Sequence, residues 1–254
     1  DLDEPRELIE SQHCYICKNH YTTLHSFYDQ MCVPCGDFNY AKRIEMANLS
    51  GRVALLTGGR VKIGYYAGLK LLRSGAHLIV TTRFPRNAAA RYAEEPDFAD
   101  WADRLEIFGL DLRHTPSVEA FCKALVASRP RLDFIVNNAC QTVRRPPDFY
   151  AHMMAGETAA LRDMPAHVRA LLGDGDASPA LAHRHSPEDA PLRSADLAMI
   201  PLLPDELLSR PELFPAGQLD GDSQQVDLRT MNSWRMLLAD VPTVELLEVQ
   251  LVNA

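Results

Sequence analysis

No apolar run in this 254-residue chain approaches the roughly 20 residues that a bilayer-spanning helix needs. The first ten residues, DLDEPRELIE, are acidic and lack the apolar core of a secretory signal, so secretion is not indicated and a cytoplasmic setting is expected. No initiator Met stands at the start, which fits a processed or partial chain. Positive charge is also short. The 26 Lys and Arg against 34 Asp and Glu leave a formal net charge of −8. Such a surface argues against non-specific binding to nucleic acid or to an anionic membrane. What remains, 46% apolar and 24% charged residues, is the composition of an ordinary globular protein, long enough to bury a full-sized core.

Cysteine is unevenly spread. Cys14-x2-Cys17 and Cys32-x2-Cys35 place four of the six within 22 residues, while Cys122 and Cys140 stand alone. Two such pairs separated by 14 residues have the spacing of a structural zinc site, in which each tight knuckle offers two thiolates to one tetrahedral Zn2+. Pro34 suits a stiff second knuckle, and Gly36 is expected to give it a left-handed exit. Disulfides within the pairs are the competing reading, but such small rings are strained. His13, His20 and His25 read as surface residues, because four thiolates already close the shell. A cross-braced two-zinc module would need about eight ligands, more than are present.

From about Ala47 the pattern changes. VALL, AHLIV, LEIF and DFIV are short apolar runs that alternate with helical periods. Between the first two, Ile63, Tyr66, Ala67 and Leu71 form a candidate helix face, stopped by Gly75. Thr115 and Pro116 open another helix whose apolar face is Val118, Phe121, Cys122, Leu125 and Val126, which makes Cys122 a core candidate. Continuous apolar strands alternating with helices predict an α/β fold, a doubly wound parallel sheet covered on both sides. The expected division is a zinc-ribbon-like module over 1–46 and a sheet domain over 47–254.

Four motifs in order then carry a resemblance: TGGRVKIG after the first strand, TTR after the second, DL after the third and NNA after the fourth. Together they resemble the first half of a short-chain dehydrogenase/reductase Rossmann domain. The resemblance implies a phosphate turn at Thr57, Gly58, Gly59, Arg60, Lys62, Ile63 and Gly64, with Lys62 where the family has its middle glycine. It implies adenine-side contacts at Asp111 and Leu112, and a further cofactor wall at Asn137, Asn138 and Ala139, with Cys140 where glycine is usual. Arg83 replaces the acidic residue that would hold the ribose hydroxyls of NAD. A guanidinium there suits a 2′-phosphate, so Arg60, Lys62 and Arg83 favour NADP(H). The other reading of these cations is a solvated loop in a degenerate nucleotide site.

The segment from about 140 to 240 is longer than the family's connection and reads either as a variable insertion or as a substrate lid or partner surface. Within it, ETAALRDMPAHVRALL and LPDELLSRPELF are helix candidates, and His183 and His185 read as exposed loop residues rather than a metal pair. Arg144 and Arg145 fit an anionic substrate or plain surface charge about equally. The last helix shows Val244, Leu247, Val249 and Leu251 as an apolar pattern, and Asn253 matches the family's proton-relay asparagine, a catalytic position. The family's Ser and Tyr-x3-Lys do not follow it. The sole Tyr-x3-Lys match, Tyr66 to Lys70, lies on the wrong element. Two functions are therefore expected. One is an NADP-dependent oxidoreductase acting on a small carbonyl or alcohol, which this chain alone does not turn over. The other is a non-catalytic NADP-binding sensor or scaffold. The fourth strand is expected to need cover from a second copy, as a homo-oligomer, or from another partner.

Overall fold

The apolar runs become parallel strands in the computed structural model of the chain, which describes residues 6–173 and 193–253. The chain divides into two units, Asp1–Asn48 and Leu49–Ala254. The first unit is a hairpin and a helix. Strands β1 (Arg6–His13) and β2 (His20–Leu24) pair antiparallel, and helix α1 spans Val33–Ile44. The first CxxC knuckle lies in the turn between the strands, and Cys32 is the N-cap of α1. The left-handed residue here is Lys18, φ 65°, rather than Gly36. Gly36 instead lies in α1 against the His25 ring, where a Cβ would come within 2.4 Å of the ring carbons. His25 is consequently buried, not a surface residue.

The second unit holds a four-stranded parallel sheet, β3 (Val53–Thr57), β4 (His77–Thr82), β5 (Leu105–Gly109) and β6 (Phe134–Val136), in the order β5-β4-β3-β6. This is an α/β, Rossmann-type sheet. Central β4 is buried from Leu78 to Thr82, as a strand covered on both faces must be. Its helices are α2 (Lys62–Arg73), α3 (Pro85–Ala93) and α4 (Thr115–Ser128). The two sheet edges differ. Along β5, Ile107 exchanges hydrogen bonds with the Leu171 carbonyl and the Gly173 amide, at 2.8 and 2.9 Å, so a later segment covers that edge. Along β6, Phe134 and Ile135 remain 40% and 60% exposed.

Three helix faces differ from the sequence expectation. On α2 the buried residues are Gly64, Tyr65, Gly68, Leu69 and Leu72, whereas Ile63 and Tyr66 point outward. Bulk misled the periodicity, because the glycines face the sheet: a Cβ on Gly68 would lie 2.3 Å from the Tyr92 hydroxyl. On α4 only Phe121 is buried. Cys122 and Val126, four residues apart on one stripe, face away from the sheet, so Cys122 is exposed rather than core. The Thr243–Asn253 helix buries Glu245 and Glu248 and exposes Val244, Leu247 and Leu251.

The 140–240 segment builds structure of its own. Helix α5 (Pro147–Thr158) contributes Phe149, Tyr150 and Met153 to a small core with Phe84, Ala195, Ala198 and Phe214. The first helix candidate there reduces to short turns at Leu161–Asp163 and Ala166–Arg169, and the second to Pro204–Leu207. His183 and His185 lie outside the described residues. Replacing Gly68 by Ala is expected to cost about 1–3 kcal/mol through overpacking against Tyr92. Tyr66→Ala, on the outward side, should stay within about 0.5 kcal/mol of the parent. Urea unfolding of both variants checks which face of α2 carries the packing.

Candidate functional site

The C-terminal ends of β3, β4 and β5 open into a groove of about 360 Å³. Of the residues expected to hold a cofactor, Gly58, Arg60, Lys62, Ile63, Gly64, Arg83, Asp111, Leu112, Asn138 and Ala139 line it. Thr57 and Gly59 support it from beneath. The Thr57 hydroxyl accepts from the amides of Asn138 and Ala139 at 3.1 and 3.0 Å, and the Gly59 carbonyl accepts from Tyr92 at 2.9 Å. Asn137 is exposed and is not among the lining residues.

The turn works by close backbone approach. Gly58 has φ +69°, and a Cβ there would meet the Ala139 Cα at 2.9 Å. A Cβ on Gly64 would lie 2.2 Å from the Gly58 carbonyl oxygen and 2.4 Å from the Asn138 amide nitrogen. Asn138 closes the turn by donating to the carbonyls of Thr57 and Gly58, both at 3.1 Å. Helix α2 then starts at Lys62 with no side-chain cap, so its first N–H groups face the groove as an anion-binding end. Lys62 itself has φ 54°, the left-handed conformation that the family meets with glycine. Its ammonium does not lie across the turn. It points to Asp220 and Asp222, at 4.0 and 3.8 Å.

Two of the groove's three arginines, Arg60 and Arg83, are held by neutral groups. Arg60 is buried, donating to Asn87 Oδ1 at 2.9 Å and Gln224 Oε1 at 2.6 Å. Burial brings its pKa down to about 10, with a contribution from Arg83 and Arg91 nearby. Arg83 donates to the Tyr150 hydroxyl at 2.6 Å and lies over the Tyr150 ring, 4.6 Å from its centroid. Both guanidinium groups flank Phe84, at 5.5 and 5.7 Å. Among the described residues no carboxylate pairs with either. A buried cation without an anion is costly, and an anionic group of a bound molecule would relieve that cost. Glycines that a Cβ would block, uncapped amides and two unmatched guanidinium groups therefore fit a dinucleotide phosphate.

Asp111 lines the groove and is held there by Arg113. Arg113 engages both its oxygens, with Nε at 2.9 and 3.1 Å and Nη2 at 2.6 Å. Arg113 continues to Glu248 at 3.3 Å, and Glu248 accepts from Arg144 Nε at 2.9 Å. Arg144 also pairs with Glu206, and its amide donates to Glu245 at 3.1 Å. Arg144 is thus buried among carboxylates. It is neither a surface charge nor a free anion holder. Arg145 pairs with Asp227. Asn253 accepts from the Gln141 amide at 2.8 Å and donates to its carbonyl at 2.9 Å. This clamp ties the end of the last helix to the segment after Ala139, and its neighbour Val252 lines the groove. Tyr66 is exposed on α2, away from the groove lining.

In the first unit, the sulfur atoms of Cys14, Cys17, Cys32 and Cys35 all lie within 4.8 Å of one another, and none forms a disulfide. Cys17 and Cys32 are 3.7 Å apart. Tetrahedral Zn–S bonds of about 2.3 Å would separate the sulfurs by about 3.8 Å, so the donor set fits that ion. Burial resists ionisation of Cys14, yet the amides of Cys17, Cys32 and Ile16 outweigh it and bring its pKa to about 6. The hydrogen bond with Cys32 pushes Cys35 up to about 12.

Tyr150, Gln224 and Arg113 were missed from the sequence. Arg113, two residues after Asp111, was the legible one; nothing local marked Tyr150 or Gln224.

Comparison with known proteins places this geometry. A family model described as short chain dehydrogenase matches residues 52–155. Residues 52–155 are thus similar to the Rossmann domain of the short-chain dehydrogenase/reductase family. It is 38% identical over 135 residues to an uncharacterized protein, R665, of Acanthamoeba polyphaga mimivirus, covering 51% of this chain and 29% of that one. It is 35% identical over 107 residues to dehydrogenase/reductase SDR family member 13 of Homo sapiens, covering 42% and 26%. With short-chain dehydrogenase/reductase pyiH of Pyricularia grisea it shares 27% identity over 190 residues, covering 69% and 75%. The chain thus spans less than a third of the length of the viral and human relatives. No helix among the described residues is long and apolar enough to cross a membrane.

Asp111 offers a pH test. Burial opposes its charge, but Arg113 more than compensates and holds its carboxyl below the usual aspartate range. Its stabilising contribution is therefore complete above the unfolded-chain pKa of about 3.9 and is lost as pH falls through the lower folded value. The urea midpoints of the native chain and Asp111→Asn should differ at neutral pH and converge on strong acidification.

Proposed function

We propose that the groove binds NADP(H) and serves an oxidoreductase of the short-chain dehydrogenase type that acts on a small carbonyl or alcohol. The observation that carries this reading is the pair Arg60 and Arg83, two guanidinium groups in the groove that no carboxylate among the described residues pairs with. Arg83 would take the 2′-phosphate, where NAD has a free hydroxyl. The uncapped start of α2 would face the pyrophosphate, with Gly58 and Gly64 permitting its close approach. The bound cofactor would supply the hydride. The residues of this chain would position it, and the Asn253 clamp on Gln141 fixes the wall of the groove beyond Ala139.

A second reading, a non-catalytic NADP-binding sensor or scaffold, draws on the same clamp. Both polar atoms of the Asn253 amide are used on backbone. The exposed β6 edge and the outward Leu247 support contact with a second copy or partner.

Replacing Arg83 by Ala is expected to weaken NADPH binding by about 1.5–3 kcal/mol while leaving NADH binding nearly unchanged. Calorimetric titration of both cofactors decides this, and equal native affinities would remove the reading of Arg83. The four thiolates of the first unit are proposed to hold one structural zinc ion, closed to any reacting water. Elemental analysis of protein purified without chelator should find one zinc per chain, and none after Cys14→Ser with Cys32→Ser.

A further inference from the structure

The groove is approached by an acidic hairpin from the 140–240 segment. Residues Leu219 and Gln225 form an antiparallel bridge, and the turn between them is tightly made. The Asp220 amide donates to the Gln224 carbonyl at 2.7 Å. The Asp220 carboxylate accepts from the amides of Asp222 and Gln224 at 2.9 and 2.8 Å. Ser223 completes the turn in the left-handed conformation, φ 57°.

This hairpin docks on the phosphate turn at two points and on α3 at a third. Gln224, itself buried, accepts from Arg60 at 2.6 Å. The Asp222 carbonyl accepts from Arg91 at 3.0 Å. The carboxylates of Asp220 and Asp222 lie 4.0 and 3.8 Å from the Lys62 ammonium. Lys62 is the residue from which the free N–H groups at the start of α2 begin. Two negative charges therefore stand where the cation of the turn would otherwise meet the cofactor's pyrophosphate.

We infer that the Leu219–Gln225 hairpin is an acidic strap that competes with the cofactor's phosphates for the cations of the turn. The inference rests on the NADP(H) reading of the groove. With the strap docked, Lys62 is neutralised by Asp220 and Asp222, and Arg60 is satisfied by Gln224. A pyrophosphate arriving at the start of α2 meets two like charges. It binds fully only as the acidic tip gives up Lys62. Cofactor binding and docking of the tip are then antagonistic, and whatever draws the strap away raises affinity for the cofactor. The charge arrangement needs both the lysine at position 62 and the long segment that carries the two aspartates.

The test is calorimetric titration of NADPH into the native chain and into the double variant Asp220→Asn with Asp222→Asn. Asparagine keeps the side-chain oxygen that accepts from the turn amides, so the hairpin retains its shape while losing its charge. The variant should bind NADPH at least about five-fold more tightly, the scale of a coupling of 1 kcal/mol or more. Hydrogen exchange gives a second readout: the amides of Asp222 and Gln224 should exchange faster in the native chain once NADPH is bound. Equal or weaker binding by the variant overturns the strap, as does slower exchange of those amides, which would mean that the hairpin closes over the cofactor. Binding by both chains with equal affinity leaves the cofactor reading standing and removes the strap alone. Absence of binding by both removes the cofactor reading and the strap with it.

Discussion

A chain of buried ion pairs, Asp111–Arg113–Glu248–Arg144 with Glu245 and Glu206 beside it, holds the groove's outer wall in place. Each of these groups loses water on folding, at a cost that only tight geometry and further hydrogen bonds offset. The network does so by joining three stretches that are far apart in sequence. Asp111 and Arg113 follow β5, Arg144 follows β6, and Glu245 and Glu248 belong to the Thr243–Asn253 helix. Apolar packing does not hold this helix, since its leucines face outward. Charge pairing determines which of its faces turns in, and that orientation brings Val252 to the groove and Asn253 to Gln141. Removing the Arg144 guanidinium would leave several buried carboxylates without a counter-charge.

The same network explains what the sequence could and could not reveal. The strands were legible because short apolar runs between glycines and charges have few other uses in a globular domain. The order of the four motifs was legible because each marks a backbone need: Gly58 and Gly64 for close approach, Asn138 to bracket the turn. The helix faces were not legible. Hydrophobic periodicity assumes that bulk turns inward, and it failed on α2, where Gly64 and Gly68 face the sheet. It failed again on the last helix, where the inward residues are glutamates. Both failures arise from partners remote in sequence: Tyr92 for Gly68, Arg144 and Arg113 for the glutamates. Gly36 shows the same limit on a smaller scale. The sequence alone reads it as a turn residue, whereas it is a contact surface for His25.

Lys62 carries a local cost that the surrounding structure must offset. A non-glycine residue in the left-handed region gives up about 1–2 kcal/mol, and glycine would avoid it. The conformation is retained because the turn leaves no other route. Gly58 and Gly64 are pinned against Ala139 and Asn138, and the chain must pass between them into α2. The ammonium leaves this crowded turn for the solvent side, where Asp220 and Asp222 meet it. Lys62 and the 140–240 segment are thereby linked physically, since each supplies one half of the contact.

The distribution of counter-charges separates structural arginines from those with another use. Arg113, Arg144, Arg145 and Arg229 are all matched to carboxylates, and each ties one stretch of the domain to another. Arg60 and Arg83 lie only at the phosphate end of the groove and are satisfied by an amide, a phenol and aromatic faces. Neutral partners keep a guanidinium oriented without cancelling its charge, whereas a carboxylate would do both. Arg104 is likewise held by carbonyls, those of Leu72, Ala76 and Asp100, but it lies outside the groove lining, where Arg60 and Arg83 stand together. Positive potential is concentrated where the α2 amides already point, and the two sources reinforce each other toward an anion. The strap's aspartates oppose that potential through Lys62 alone and leave Arg83 untouched, so Arg83 remains the cation through which an incoming phosphate can first engage the site.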